Sequence, residues 1–179
     1  GEVPPFCEKK AQFHIRLLPQ DLSLEALKYP KEVQTILQAK AGLILCFGSS
    51  SSGKTSLILH LLLNQPSSRV STFDTHTEDS SPYRQCSQHV WCAPEEHPDI
   101  EVITIDSEES AIQALLESSN HIVIAKINAK GMYDGLNKLM IYLSKYPQKY
   151  VLNLLASYSR YFISTALITN TSGKILPLL

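Results

Sequence analysis

The stretch Gly42-Leu43-Ile44-Leu45-Cys46-Phe47-Gly48-Ser49-Ser50-Ser51-Ser52-Gly53-Lys54-Thr55-Ser56 decides the fold. Its first half is a continuous apolar run of strand length, with none of the alternation of a half-exposed strand. It therefore reads as a strand buried on both faces. Its second half fits the pattern G-x-x-x-x-G-K-[ST]. Glycines at 48 and 53 admit backbone angles that let several N–H groups converge on one anion. Lys54 would lay its ammonium on the β- and γ-phosphates, and the Thr55 hydroxyl would face Mg²⁺. The apolar residues Leu57 to Leu63, broken only by His60, predict a helix from about Lys54 to Asn64, closed by Pro66. Its positive dipole end would point at the same anion. The strand before the loop and the helix after it separate this pattern from a Gly/Ser turn carrying a solvated lysine. The predicted binding set is Gly48, Ser49, Ser50, Ser51, Ser52, Gly53, Lys54, Thr55 and Ser56, with a nucleoside triphosphate, ATP foremost, and Mg²⁺ as ligands.

Working outward, strands alternate with helices. Val70–Phe73, Val102–Ile105 and His121–Ile127 read as strands. Ser107 is placed to cap a helix running to Ser118, with Ala111, Ile112, Ala114, Leu115 and Leu116 towards the core. Tyr133–Tyr146 is amphipathic and helical. Val151–Leu167 is apolar at helical spacing over at least part of its length, with an end blurred by the β-branched Ile163, Thr165 and Ile168. The segment from Thr75 to Asp99 is polar, holds three prolines and reads as loop. Ile175–Leu179 is a possible last strand after a turn at Thr171–Lys174. Before the loop, Phe13–Leu18 is strand-like, and Ser23–Tyr29 and Glu32–Lys40 are helical. This order predicts an α/β fold with a central, mostly parallel sheet flanked by helices. Residues 1–40 would form an N-terminal linker segment and residues 41–179 the nucleotide-binding domain.

With 16 basic and 17 acidic residues the net charge is -1, which provides no basic field for nucleic acid. No apolar run is long enough to span a bilayer. The four cysteines form no disulfide framework, which suits a reducing, cytoplasmic setting. Cys86, Cys92, His89 and His97 are a loose group whose spacing matches no standard zinc pattern; a folded-over loop explains them more simply.

Beyond the loop, the chain resembles the secretion ATPase superfamily, and within it the type IV pilus retraction (PilT-like) branch. Ala41 to Gly48 and Gly53-Lys54-Thr55 resemble that branch's "GLVLVTGPTGSGKST". Ile15 to Pro19 and Leu22 to Leu27 resemble its run joining the N-terminal and RecA-like domains. Arg69 to Asp74 resembles the start of its aspartate box, with Glu78 on a later acid. His121 to Ala125 resembles "GHLVlaT". Ala156 to Leu167 resembles its "LA.sLrgvi.QrL" helix, with Arg160 on the basic position. Thr171 to Lys174 falls where the family has a Gly/Lys turn. The resemblance implies a RecA-like P-loop core and a hexameric ring of this chain, or a ring with a paralogous ATPase. It also implies a platform protein at the inner membrane as partner and ATP hydrolysis between subunits. Arg16 follows a phosphate-contacting family position; Arg84 is a weaker candidate, placed only by its polar loop.

The departures bear on turnover. The family's Walker B strand ends in Gly-Glu, whereas Val102-Ile103-Thr104-Ile105 is followed by Asp106-Ser107-Glu108-Glu109. The family's His box matches Lys126-Ile127-Asn128-Ala129, with Asn128 in place of histidine. Asp106 is a candidate Mg²⁺ ligand with Thr55, and Asp74, Glu78, Asp106 and Glu108 are candidates to position the attacking water. Each of these acids also reads as an ordinary solvated carboxylate. Three readings follow: a PilT-like secretion or pilus ATPase, a catalytically degenerate regulatory subunit, or, less well supported, a small P-loop kinase. The last needs clustered lid arginines, and only Arg69 and Arg84 lie mid-chain.

Overall fold

The computed structural model describes residues 36–73, 83, 88–93, 96–169 and 175–178, with 167–169 and 175–178 described by backbone alone. The expectations for Phe13–Leu18, Ser23–Tyr29 and the Thr171–Lys174 turn lie outside the described residues. The main sheet contains β1 (Gly42–Gly48), β2 (Arg69–Phe73), β3 (Val90–Trp91), β4 (Ile100–Ile105), β5 (Ile122–Asn128) and β6 (Ser159–Ser164). Their order is β3-β2-β4-β5-β1-β6, and every pairing is parallel. Four helices flank it among the described residues: α1 (Lys54–Leu63), α2 (Glu108–Glu117), α3 (Met132–Tyr142) and α4 (Gln148–Tyr158). β7 (Ala166–Thr169) and β8 (Ile175–Leu178) pair antiparallel as a separate ribbon. The sheet is thus entirely parallel, where the sequence predicted mostly parallel.

Alternation along the strands sorts the core into two layers. Ile44, Cys46, Val102, Ile122 and Ile124 face α1, whose Leu57, Ile58, Leu59, Leu61 and Leu62 are all buried. Leu43, Leu45, Phe47, Ile103, Ile105, Val123, Ala125 and Ile127 face α2, α3 and α4 through Ala111, Ala114, Leu115, Leu139, Val151 and Leu155. A strand buried on both faces must be apolar throughout, and all seven residues of β1 are buried. α1 is buried nearly all round, so apolarity rather than amphipathicity marks it.

Local chemistry sets several boundaries. Ser107 caps α2: its Oγ accepts from the Ser110 N–H, and Ser110 Oγ accepts from the Ser107 N–H. Glu108 and Glu109 in the first turn complement the helix dipole. Of the predicted 32–40 helix, the described residues contain a single 3₁₀ turn at 36–38, with Ile36 and Leu37 buried against α1. α3 ends at Tyr142, four residues before the predicted limit. The polar 75–99 stretch contains β3, and β4 starts at Ile100. The largest correction lies in 151–167. Helix α4 stops at Tyr158 and the chain enters β6, so Arg160 lies on a strand, not on the helix of the family resemblance. The β-branched residues that blurred the helical reading belong to this extended run. As the edge strand, β6 leaves Tyr161 and Phe162 partly exposed, which disguised it.

Candidate functional site

The loop after β1 leads to α1 on one face of the sheet, while the connection after β5 leads to α3 on the other. β1 and β5 are neighbours, so their carboxyl ends open a crevice at a topological switch point. A cleft of about 70 Å³ lies there, lined by Ser50, Ser51, Ser52, Gly53, Lys54, Thr55, Thr104, Lys126 and Asn128. Small-molecule pockets commonly measure about 300–1,000 Å³. This one suits phosphate groups, with base and ribose outside it.

The loop is held by its own turns and by β6. The Ser52 N–H donates to the Ser49 carbonyl at 3.1 Å. Ser51 has φ 62° and Gly53 φ 97°, which turns the chain sharply into α1. No side chain caps α1, and its first turn contains no acid, so its terminal N–H groups face the cleft uncontested. Gly48 is required by close approach: a Cβ there would collide with Ser52 Oγ and with Thr165 Oγ1 and O. Thr165 ties the loop to the end of β6, since its N–H donates to the Phe47 carbonyl at 2.8 Å and its hydroxyl lies 2.8 Å from Ser52 Oγ. The Lys54 ammonium donates to the carbonyls of Gly48 and Ser49, at 2.7 Å each, which holds it over the loop.

No protein-family model matches the chain. No curated protein matches it. Solved structures do. The ATPase DotB of Legionella pneumophila matches with a TM-score of 0.71 over 87% of this chain and 49% of its own, at 14% identity. DotB of Yersinia pseudotuberculosis gives 0.67 over 87% and 46%, at 15% identity. The pilus retraction motor PilT with bound ADP gives 0.69 over 92% and 55%, at 18% identity. The fold is that of the DotB and PilT ATPases. The chain spans about half the length of these proteins. The resemblance read from the sequence is thus borne out at the level of fold.

On this DotB/PilT-type fold, Ser50 to Thr55 all line the cleft, with Gly48 and Ser49 bracing Lys54 from behind. Ser56 follows in α1, half-buried and outside the lining. Asp106 lies past the end of β4 and does not line the cleft. Its backbone N–H donates to Ser110 Oγ, and its carboxylate accepts from the same hydroxyl at 3.4 Å. Glu108 is also outside the cleft and pairs with Lys145 at 2.5 Å, which raises the Lys145 pKa through that bond and charge. Arg16, Asp74, Glu78, Arg84 and Cys86 lie outside the described residues. Arg69 starts β2 at the opposite end of the sheet, its guanidinium on the Glu96 carbonyl. His89 has both ring nitrogens engaged: Nε2 donates to the Leu62 carbonyl and Nδ1 accepts from the Ser68 N–H. Among the described residues no cluster could hold a metal.

Two lining residues had not been singled out as site residues: Thr104 and Lys126. They are register partners on β4 and β5, and Cys46 on β1 completes the row. A signal was present, because Lys126 interrupts an apolar run two residues after Ile124, on the face that alternation assigns to α1. Mg²⁺ is bound in such sites through one or two carboxylates besides phosphate oxygens. Thr55 lines the cleft, but no carboxylate does among the described residues, and two ammonium groups stand there. Thr55 is thus the described residue placed to face Mg²⁺, and the candidate acids Asp74 and Glu78 lie outside the described residues.

Cys46 is fully buried beneath Lys54, and burial pushes its thiol up to about 12 from 9.0, with the Lys54 ammonium acting in the opposite direction. A pKa raised on folding contributes stability that is intact below the unfolded value and lost as pH rises towards the folded value. At pH 10 the loss from this thiol is on the order of 1 kcal/mol. In urea titrations at pH 8 and pH 10, the stability difference between the wild type and Cys46→Ala is expected to shrink by that amount. An unchanged difference would show that the thiol ionises within the fold.

Proposed function

We propose that this chain is the nucleotide-binding domain of a secretion or pilus ATPase of the PilT-like kind. It binds ATP through the loop Gly48 to Ser56 and couples nucleotide binding to a type IV pilus or secretion machine. The observation that supports this reading best is the loop itself, with Lys54 braced over it at the switch point of a DotB/PilT-type sheet. The functional unit is a ring, hexameric on the family resemblance, formed by this chain or with a paralogous ATPase and working against a platform protein at the inner membrane. A cytoplasmic location fits this role. No helix among the described residues is long and apolar enough to cross a membrane.

The first test is nucleotide binding. Lys54→Ala is expected to weaken ATP binding at least about tenfold in calorimetric titration, the value of one charge-assisted phosphate contact. Unchanged affinity would remove the basis of the reading.

A second reading, a ring partner that binds nucleotide without turning it over, is favoured by the positions of Asp106 and Glu108 outside the cleft. Phosphoryl transfer rests on positioning and charge stabilisation, and a finger arginine alone contributes about 10³–10⁵ in rate. Asp74 and Glu78 remain the candidates for positioning water. Phosphate release from the assembled oligomer separates the two readings. Turnover abolished by Asp74→Ala or Asp106→Ala supports the motor; release no faster than in Lys54→Ala supports the silent partner.

A further inference from the structure

The phosphate loop is fastened to a residue 113 positions further along the chain. Thr165 follows directly on β6, and its N–H and its hydroxyl both donate to the Phe47 carbonyl, at 2.8 and 3.3 Å. A hydroxyl carries one proton, and a carbonyl can only accept. The bond to Phe47 therefore uses the Thr165 proton, so in the 2.8 Å contact between Thr165 Oγ1 and Ser52 Oγ the donor is Ser52. Both side chains are buried, with Ser52 4% and Thr165 5% exposed. The Ser52 hydroxyl thus has no proton left for a phosphate oxygen, although the residue lines the cleft. Its backbone acts in the same direction. The Ser52 N–H donates to the Ser49 carbonyl at 3.1 Å, and that carbonyl also accepts from the Lys54 ammonium. The Gly48 carbonyl, another acceptor of Lys54, takes the Ala129 N–H at 2.9 Å as well. Gly48 itself lies against both hydroxyls, with no room for a Cβ beside them. Thr165, Ser52, Ser49 and Lys54 thereby form one chain of bonds from the end of β6 to the ammonium at the cleft.

We infer that Thr165 is a positioning residue of the phosphate site. It fixes the loop, and through the Ser49 carbonyl the Lys54 ammonium, in the geometry that receives the phosphates. The Ser52 hydroxyl belongs to this brace and makes no bond to the nucleotide; its partner is Thr165 whether the cleft is empty or filled. A site set in place before its ligand arrives binds more tightly, because less ordering is left to be done on binding. The inference rests on the phosphate-loop reading and adds to it a residue from outside the loop.

The experiment is calorimetric titration of the full chain with ATP and excess Mg²⁺, at a temperature well below the melting point of every variant. The set is the wild type, Thr165→Val, Thr165→Ser, Ser52→Ala, the Ser52→Ala, Thr165→Val double variant, and Lys54→Ala. Thr165→Val keeps the side-chain shape and removes the hydroxyl; Thr165→Ser keeps the hydroxyl. Thr165→Val and Ser52→Ala are each expected to weaken ATP binding about three- to tenfold, the value of one hydrogen bond. The double variant is expected to bind within about twofold of the weaker single one, because both remove the same bond. Thr165→Ser is expected to bind within about twofold of the wild type, a rescue that loss of bulk at 165 would not allow. Losses that multiply in the double variant would show Ser52 touching the nucleotide on its own and overturn the inference. A folded Thr165→Val that binds like the wild type, or Thr165→Ser as weak as Thr165→Val, overturns it too. If Thr165→Val does not fold, Ser52→Ala decides, and unchanged affinity there overturns the brace. Where these variants fail the inference while Lys54→Ala still loses binding, the phosphate-loop reading stands. Absence of ATP binding by the wild type overturns both.

Discussion

His121→Ala is expected to lower the free energy of unfolding by about 2–3 kcal/mol, the usual result of depriving a buried carboxylate of a hydrogen-bond donor. Glu101 is 1% exposed, on the β4 face that packs against α2. Its carboxylate meets His121 Nε2 at 3.1 Å and accepts from Gln113 Nε2 at 3.3 Å. Glu117 lies 3.9 Å from the other ring nitrogen, half in solvent. Without the imidazole, Glu101 keeps one long hydrogen bond and the full desolvation cost of its charge. Urea denaturation at neutral pH measures the loss directly. A combined Glu101→Leu, His121→Leu variant is expected to recover most of it, because an apolar pair removes the stranded charge with its partner. A loss under about 1 kcal/mol for His121→Ala would mean that water or a rearranged neighbour reaches Glu101.

Gly135→Val is expected to cost about 3 kcal/mol, at the upper end of overpacking effects. Gly135 is the point where α3 meets β1, and a Cβ there would collide with the Phe47 ring. That ring is fully buried and stacked parallel on Phe162, 6.4 Å between centroids, so it has little freedom to yield. Valine gains a few tenths of a kcal/mol in helix propensity over glycine, far too little to offset the collision. Thermal unfolding gives the cost, and Phe47→Leu in the same chain is expected to make the pair less than additive. Additive losses would place the strain elsewhere. Phe47 directly precedes Gly48, so the same substitution is expected to loosen ATP binding.

The legible parts of the fold were those whose chemistry is local. β1 declares itself by an unbroken apolar run, the loop by its glycines and lysine, α2 by Ser107 at its cap. β6 was not legible because its strand character comes from pairing with β1, while its own residues continue the apolar spacing of α4. β3 was not legible because two residues carry no period. In the site, the loop residues could be placed from sequence alone. Thr104 and Lys126 could not, since their meaning comes from the register that aligns β4, β5 and β1. Asp106 read as a site acid because it follows a strand, yet the chain has already turned into the Ser107 cap there, and its carboxylate meets Ser110 instead of the cleft.

β1 is paired along its whole length with β5 and over five residues with β6. In a strand flanked on both sides the amides bond in turn to one neighbour and the other, and such strands are among the slowest to exchange with solvent. The loop is anchored to a strand that is buried along its whole length and paired on both sides, so a phosphate bound there is held by the core itself. Occupancy is therefore felt as a shift in the stability of the entire domain, growing with the logarithm of ligand concentration, and not as the stiffening of one loop.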